Sequence, residues 1–166
     1  MATAIYPGSF DPITYGHIDI VRRARKLFSK LVIAVVANPH KSPLFSVEER
    51  VHITQAALAE EGISGLGVIS YDGLLVDCAR EHQADAIVRG LRANSDFEYE
   101  FRMALANRSL APEFESVFFM TAGKYSFLAS SMVKEVAAYG GDVSTFVPRS
   151  VRAALAAKLG TPGSTD

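Results

Sequence analysis

Two stretches of this chain are apolar without alternation: Leu31-Val32-Ile33-Ala34-Val35-Val36 and Ala86-Ile87-Val88. A strand with one wet face alternates apolar and polar side chains, whereas a strand covered on both faces does not. These runs therefore read as central strands of a parallel sheet, and parallel neighbours require a crossover between them. The spacing supplies one each time. Strand candidates at Thr3–Tyr6, Leu31–Ala37, Gly67–Ser70, Ala86–Arg89 and Ser116–Met120 alternate with helical patterns. Ile18, Val21, Ala24 and Phe28 share one face of a first helix. Ser46-Val47-Glu48-Glu49 is a capping box, and Val47, Val51, Thr54 and Leu58 continue that helix until Gly62. Helices over Leu74–His82, Phe97–Leu110 and Ser131–Tyr139 follow, and Pro148 opens the last. The expectation is an α/β doubly wound parallel sheet of five strands. It forms one domain over residues 1–159, with a mobile tail over 160–166.

Composition narrows the function. The chain has 166 residues, 49% of them apolar, and a formal net charge of −1. There is no general basic field for nucleic acid, so any anion site must come from a few cations brought together locally. Cys78 is the sole cysteine, which excludes an internal disulfide and a thiolate zinc site. The longest apolar run falls far below the ~20 residues of a membrane span, and no signal-peptide pattern opens the chain. A soluble cytoplasmic protein is expected, without nucleic-acid or membrane partners.

In open α/β sheets, ligands bind beyond the carboxyl ends of the strands. The first strand runs into Ser9-Phe10-Asp11-Pro12-Ile13-Thr14-Tyr15-Gly16-His17, a bent loop that opens a helix with a histidine at its entrance. Backbone N–H groups and the helix dipole favour anions there. Asn38-Pro39-His40-Lys41 follows the second strand, Arg89-Gly90-Leu91-Arg92 ends the fourth, and Lys124-Tyr125-Ser126 with Ser130 and Ser131 follows the fifth. Asp72, Gly73 and Leu74 follow the third. Cations and hydroxyls thus gather on one sheet edge, a pattern suited to several phosphates. The familiar phosphate loops Gly-x-Gly-x-x-Gly and Gly-x-x-x-x-Gly-Lys-Ser/Thr are absent, which argues against an ordinary NAD-binding protein and a P-loop NTPase.

These segments resemble the bacterial phosphopantetheine adenylyltransferase family. The likeness rests on Tyr6-Pro7-Gly8-Ser9-Phe10-Asp11-Pro12, Thr14-x-Gly16-His17, Asn38-Pro39-x-Lys41, Glu48-Glu49-Arg50, Arg89-Gly90-Leu91-Arg92, Asp96-Phe97-Glu98-Tyr99-Glu100, Tyr125-Ser126-Phe127, Ser130-Ser131-Met132-Val133-Lys134-Glu135-Val136 and Gly141-Asp142-Val143. It implies a Rossmann-like core and transfer of an adenylyl group from ATP to 4′-phosphopantetheine, giving dephospho-CoA and pyrophosphate. It also implies dependence on Mg2+, a homohexamer and feedback inhibition by CoA. By the same resemblance, His17, Lys41 and Arg92 serve catalysis. Ser9, Lys41, Leu75 and Arg89 hold phosphopantetheine. Ser9, Phe10, His17, Gly90, Leu91, Arg92, Glu100, Tyr125, Ser126, Phe127, Leu128, Ala129, Ser130 and Ser131 line the nucleotide site. Ala129 stands where the family usually carries the first of three serines, and Leu75 where several members carry methionine.

The chemistry agrees with this site. A phosphate monoester has a second pKa of about 6, so the attacking group is anionic at neutral pH and needs no general base. Positioning and electrostatic stabilisation must do most of the catalysis. Plainer readings apply elsewhere: His52 and His82 read as surface or satisfied residues, Asp96 and Glu98 as complements to a helix dipole, and Ser130 and Ser131 as helix caps. The apolar surface of Phe97–Leu110 exceeds one core stripe and reads as core plus subunit interface. Another Thr-x-Gly-His nucleotidyltransferase with a different phosphorylated acceptor shares the central motif. A class I aminoacyl-tRNA synthetase fragment would need a Lys-Met-Ser-Lys-Ser-like segment, which is missing. A non-catalytic nucleotide sensor would share the composition.

Overall fold

A computed structural model describes residues 2–37, 42–92 and 94–161, with the side chains of residues 94–96 excepted. Five parallel strands, β1 (Thr3–Gly8), β2 (Lys30–Val36), β3 (Gly67–Tyr71), β4 (Ala86–Leu91) and β5 (Glu115–Met120), form one sheet in the order β3-β2-β1-β4-β5. The helices are α1 (Tyr15–Ala24), α2 (Val47–Glu60), α3 (Leu75–Glu81), α4 (Asn94–Leu110), α5 (Ser130–Ala138) and α6 (Arg149–Leu159), with a 3-10 turn at Gly123–Tyr125. β1 pairs with β2 from Thr3 opposite Lys30 to Gly8 opposite Val35, and with β4 at Ala4–Ala86 and Ile5–Ile87.

The non-alternating strands are buried on both sides, as their sequence requires. Ala4, Tyr6, Leu31, Ile33, Val35, Ala86 and Val88 face one apolar cluster, and Ile5, Ala34 and Ile87 face the other. Successive side chains on a strand point to opposite faces, so one continuous apolar run feeds two cores. The first core is covered by α1, α2, α5 and α6 through residues such as Val21, Ala57, Val133 and Val151. The second is covered by Val76 and Ala79 of α3, with Ala111 and Phe114 beyond α4. Each fully buried Ile or Val in these layers stabilises the fold by roughly 1.5–3 kcal/mol.

The predicted elements are all present, some ends unchanged and the others shifted by up to four residues. Phe28 lies past the end of α1 but still packs on the first core. Ser46 caps α2 through a reciprocal pair with Glu49. Gly62 follows α2 with φ 68°, a left-handed conformation that suits glycine. Gly160 ends α6 in the same way. The tail expectation for residues 162–166 lies outside the described residues. Phe97, Tyr99, Phe101 and Leu105 of α4 are each more than half exposed, so that helix carries apolar surface beyond what the core absorbs.

Candidate active site

The strand order reverses at β1 and β4, and the crevice beyond their carboxyl ends is where an open sheet of this kind accepts a ligand. The loop from β1 enters α1 through Thr14, whose hydroxyl faces the His17 amide while the His17 ring returns to the Thr14 backbone. Histidine here fills the place that Glu or Gln takes in the usual capping box. The Thr14 N–H donates to His17 Nδ1 at 3.0 Å, and Thr14 Oγ1 lies 3.0 Å from the same nitrogen. A backbone N–H only donates, so Nδ1 is the acceptor and the neutral ring carries its proton on Nε2. Burial, reinforced by the charge of Arg92, pushes the His17 pKa down to about 4. At neutral pH His17 is therefore an uncharged N–H donor of fixed tautomer.

Phe10 supports that ring. It has φ 45°, is 1% exposed, and its ring centroid lies 5.0 Å from His17 and 5.4 Å from Tyr6. A Cβ at Gly8 would come within 2.9 Å of the Phe10 ring, so the glycine makes room for it. A ring buried this deeply offers a ligand main-chain atoms rather than its face. Ser9 is half-buried, and its carbonyl accepts from Arg50 at 2.8 Å.

β4 delivers Arg89 and Arg92 to the same rim, and both charges act on the buried Tyr6 hydroxyl. Arg89 donates through Nε and Nη2 to the two oxygens of Glu100, at 2.7 and 2.6 Å, and through Nη1 to the Pro7 carbonyl at 3.3 Å. Arg92 donates to the Leu128 carbonyl at 3.1 Å. Between the arginines, Gly90 accommodates Ile20: a Cβ at position 90 would meet Ile20 Cδ1 at 2.2 Å. The Leu91 side chain is buried, and its carbonyl accepts from the Thr121 amide and hydroxyl at 2.8 and 2.9 Å.

The segment after β5 closes over α1. Tyr125 stacks on Tyr15 with centroids 6.5 Å apart, the Ser126 hydroxyl donates to Gly123, and the exposed Phe127 meets Phe146 edge-on. An open cavity of ≈ 440 Å³ between Tyr15, Arg22, Tyr125, Phe127 and Phe146 lies on this flank. Tyr15 and His17, two residues apart, face roughly opposite sides of α1, which separates this cavity from the histidine. The serines do not cap α5: Ala129 holds the N-cap position without a side-chain bond, and the Ser130 hydroxyl instead donates to the Pro12 carbonyl at 2.7 Å. Ser131 is exposed one residue on.

Sequence reasoning gave no individual role to Asp11, Arg50 or Lys134, which enter it only as members of longer motifs. Arg50 is 3% exposed and joins the exits of β1 and β2 by donating to the Ser9 and Val36 carbonyls. Asp11 accepts from the Leu44 and Phe45 amides, each at 3.0 Å, and from Lys134 Nζ at 2.6 Å. Burial raises the Asp11 pKa, but Lys134 and those amides outweigh it and hold the carboxyl below its ordinary value. Asp11 and Arg50 each stand in a motif that carries the family resemblance, but nothing local in the sequence marks either as buried.

The Cytidylyltransferase-like family profile matches residues 5–136. Over 96% of its length the chain is 56% identical to the phosphopantetheine adenylyltransferase of Heliobacterium modesticaldum, covering 94% of that protein. It is 52% identical to the proteins of the same name from Caldanaerobacter subterraneus and Methylococcus capsulatus, over 96% and 97% of its length and 98% of each of theirs. The chain belongs to the phosphopantetheine adenylyltransferase family. Among solved structures, a putative nicotinate-nucleotide adenylyltransferase from Vibrio parahaemolyticus superposes with a TM-score of 0.67 over 96% of this chain and 95% of that one. At 18% identity, this supports the fold alone.

Of the family's expected site residues, Ser9, Phe10, His17, Arg89, Gly90, Leu91, Arg92 and the stretch from Leu128 to Ser131 converge on one rim. Glu100 joins through Arg89. Leu75 opens α3 after the exit of β3, half-buried against the second core. Lys41 and its neighbours Asn38, Pro39 and His40 lie outside the described residues. Among the described residues, no group of three or more His, Cys, Asp or Glu stands together to hold a metal ion. Asp11 and Glu100 are already engaged by cations. Among the described residues there is no protein cage for the magnesium that the family resemblance implies.

Proposed function

We propose that this protein transfers the adenylyl group of ATP to 4′-phosphopantetheine, giving dephospho-CoA and pyrophosphate, the penultimate step of coenzyme A synthesis. The observation that carries the chemistry is His17, a neutral donor held at a rim shared with Arg89 and Arg92. In this reading a phosphate oxygen of phosphopantetheine attacks the α-phosphorus in line. The new P–O bond forms as the bond to the bridging oxygen breaks, and pyrophosphate takes that electron pair. No proton need leave the nucleophile. His17 donates from Nε2 to a non-bridging α-oxygen as negative charge grows there. Arg92 steadies the ATP phosphates. Arg89, Ser9 and Lys41 hold the acceptor phosphate, and Leu75 contacts the pantetheine arm. The amino end of α5, with Tyr125–Ser131, Gly90, Leu91 and the Phe10 backbone, receives the nucleotide. We assign Mg2+ to the triphosphate and water, since it prefers phosphate and water oxygens.

The exposed apolar face of α4 supports a homohexamer, and inhibition by CoA follows from its likeness to the product. No helix among the described residues is long and apolar enough to cross a membrane; a cytoplasmic location fits the substrates. The deciding assay follows pyrophosphate and dephospho-CoA with ATP, Mg2+ and 4′-phosphopantetheine, beside a panel that includes nicotinate mononucleotide. Release with phosphopantetheine alone is the expected result. Release only with another acceptor would favour a different nucleotidyltransferase, and ATP binding without release would favour a nucleotide sensor.

A further inference from the structure

Asp11 stands where three separate parts of the chain meet. It lies in the loop that leads to His17. Its Oδ1 accepts from the Phe45 amide, and its Oδ2 accepts from the Leu44 amide and from Lys134. Leu44 and Phe45 belong to the segment that enters α2 from β2, and Lys134 belongs to α5. Residues 130 and 134 are four apart, so they share one face of α5. That face is fastened twice to adjacent residues: Ser130 to the Pro12 carbonyl, and Lys134 to the Asp11 carboxylate. One attachment would fix the distance of the helix from the loop. Two attachments a turn apart also fix its rotation about its own axis, and hence the direction of its first N–H groups.

We propose that Asp11 is a positioning residue, whose carboxylate sets the amino end of α5 relative to the His17 ring and couples both to the segment entering α2. The proposal rests on the function given above, because it is the adenylyl donor that must touch both α5 and His17. Asp11 itself touches no substrate. It is 5% exposed, and its oxygens are taken up by the two amides and Lys134. A bond between opposite charges is short and directional, so a neutral replacement keeps the shape but loosens the fastening.

The test compares Asp11→Asn, Lys134→Met and Lys134→Arg in the full chain, all below their unfolding temperatures. ATP affinity is measured by calorimetry, and turnover by pyrophosphate release. Asp11→Asn and Lys134→Met should each weaken ATP binding about tenfold and lower kcat by tenfold or more. Lys134→Arg, which keeps the charge, should stay within about threefold of the parent protein. The double variant should lose no more than the worse single, because both changes break one contact. Should Asp11→Asn fail to fold, the Lys134 pair carries the test unaided. A lowered Tm with unaltered ATP affinity and kcat in Lys134→Met would overturn the proposal and leave Asp11 a purely structural residue. The two readings fail separately. A parent protein that binds ATP but transfers nothing to phosphopantetheine defeats the proposed function, while the calorimetry still decides whether Asp11 orients the nucleotide site.

Discussion

Arg89 and Glu100 form a two-pronged ion pair, with nitrogen–oxygen distances of 2.7 and 2.6 Å, that joins the end of β4 to the first turns of α4. Glu100 is almost fully buried and spends both carboxylate oxygens on the guanidinium. The pair holds Arg89 in one orientation while leaving part of its donor set for a phosphate, since guanidinium has five N–H groups. Family resemblance places Glu100 against the nucleotide; the geometry makes it the orienter of Arg89, the arginine proposed to hold the acceptor phosphate. Kinetics separate these roles. Glu100→Ala should raise the KM for phosphopantetheine tenfold or more, with the KM for ATP within about threefold. A rise in the ATP KM alone would return Glu100 to the nucleotide. Leaving the partly buried Arg89 without its carboxylate should also lower Tm.

His17 gives a prediction that depends on charge. Its ordinary pKa of 6.5 falls to about 4 in the folded protein. Below pH 6.5 the unfolded chain takes up a proton that the folded chain refuses, so this residue makes stability decline from about pH 6.5 down to 4 and level off below. Across pH 5–8 the ring stays a neutral donor, and the acid limb of turnover should follow the substrate monoester near pH 6 instead. An NMR titration of the histidine ring protons should show one residue, absent from the His17→Ala spectrum, with its midpoint near 4. A midpoint near 6.5 would contradict the fixed neutral tautomer. His17→Ala should retain ATP binding and lose roughly a hundredfold in kcat.

The fold was legible because its strongest signals are local. Leu31–Val36 announces a doubly covered strand, and Ser46 with Glu49 announces a helix start. The rim followed from topology, which places every strand exit on one edge, so His17, Arg89 and Arg92 could be grouped from spacing alone. What stayed hidden are pairings between residues far apart in the chain. Asp11 and Lys134 are separated by 123 positions, and Arg50 reaches Ser9 across 41. No periodicity encodes such contacts. Sequence singles out both Glu100 and Arg89 but not their pairing, because a helix-borne carboxylate looks the same in sequence whether it faces water or a guanidinium. The serines opening α5 looked like caps, yet Ser130 turns its hydroxyl to Pro12.

Cys78 sits in the second core at the middle of α3. Burial, with the nearby Glu81 charge, pushes its thiol up to about 11. The thiolate is the reactive form, so the folded protein should resist modification on both counts, access and ionisation. At pH 8 a thiol-specific chromogenic reagent should release less than about a tenth of an equivalent from the native protein within an hour, and one full equivalent after denaturation. Rapid native reaction would show that α3 opens readily from the sheet.

Gly90 separates packing from ligand contact. A methyl group at position 90 would overlap Ile20 Cδ1, and Ile20 is itself 3% exposed within the first core, so the overlap has little room to relax. Gly90→Ala should destabilise by roughly 1–3 kcal/mol, as overpacked cores do. Ile20→Val removes the δ-carbon and alone costs about 0.5–1.5 kcal/mol. If the clash is the whole effect, the double variant should be more stable than Gly90→Ala, an antagonism expected of residues in contact and readable by urea unfolding. Losses that simply add would place the strain elsewhere. The same double variant tests the second role of this glycine. With stability restored, an ATP KM that remains tenfold high would mean that the nucleotide needs the bare backbone at 90; a KM that returns to the parent value would make Gly90 a packing residue for Ile20.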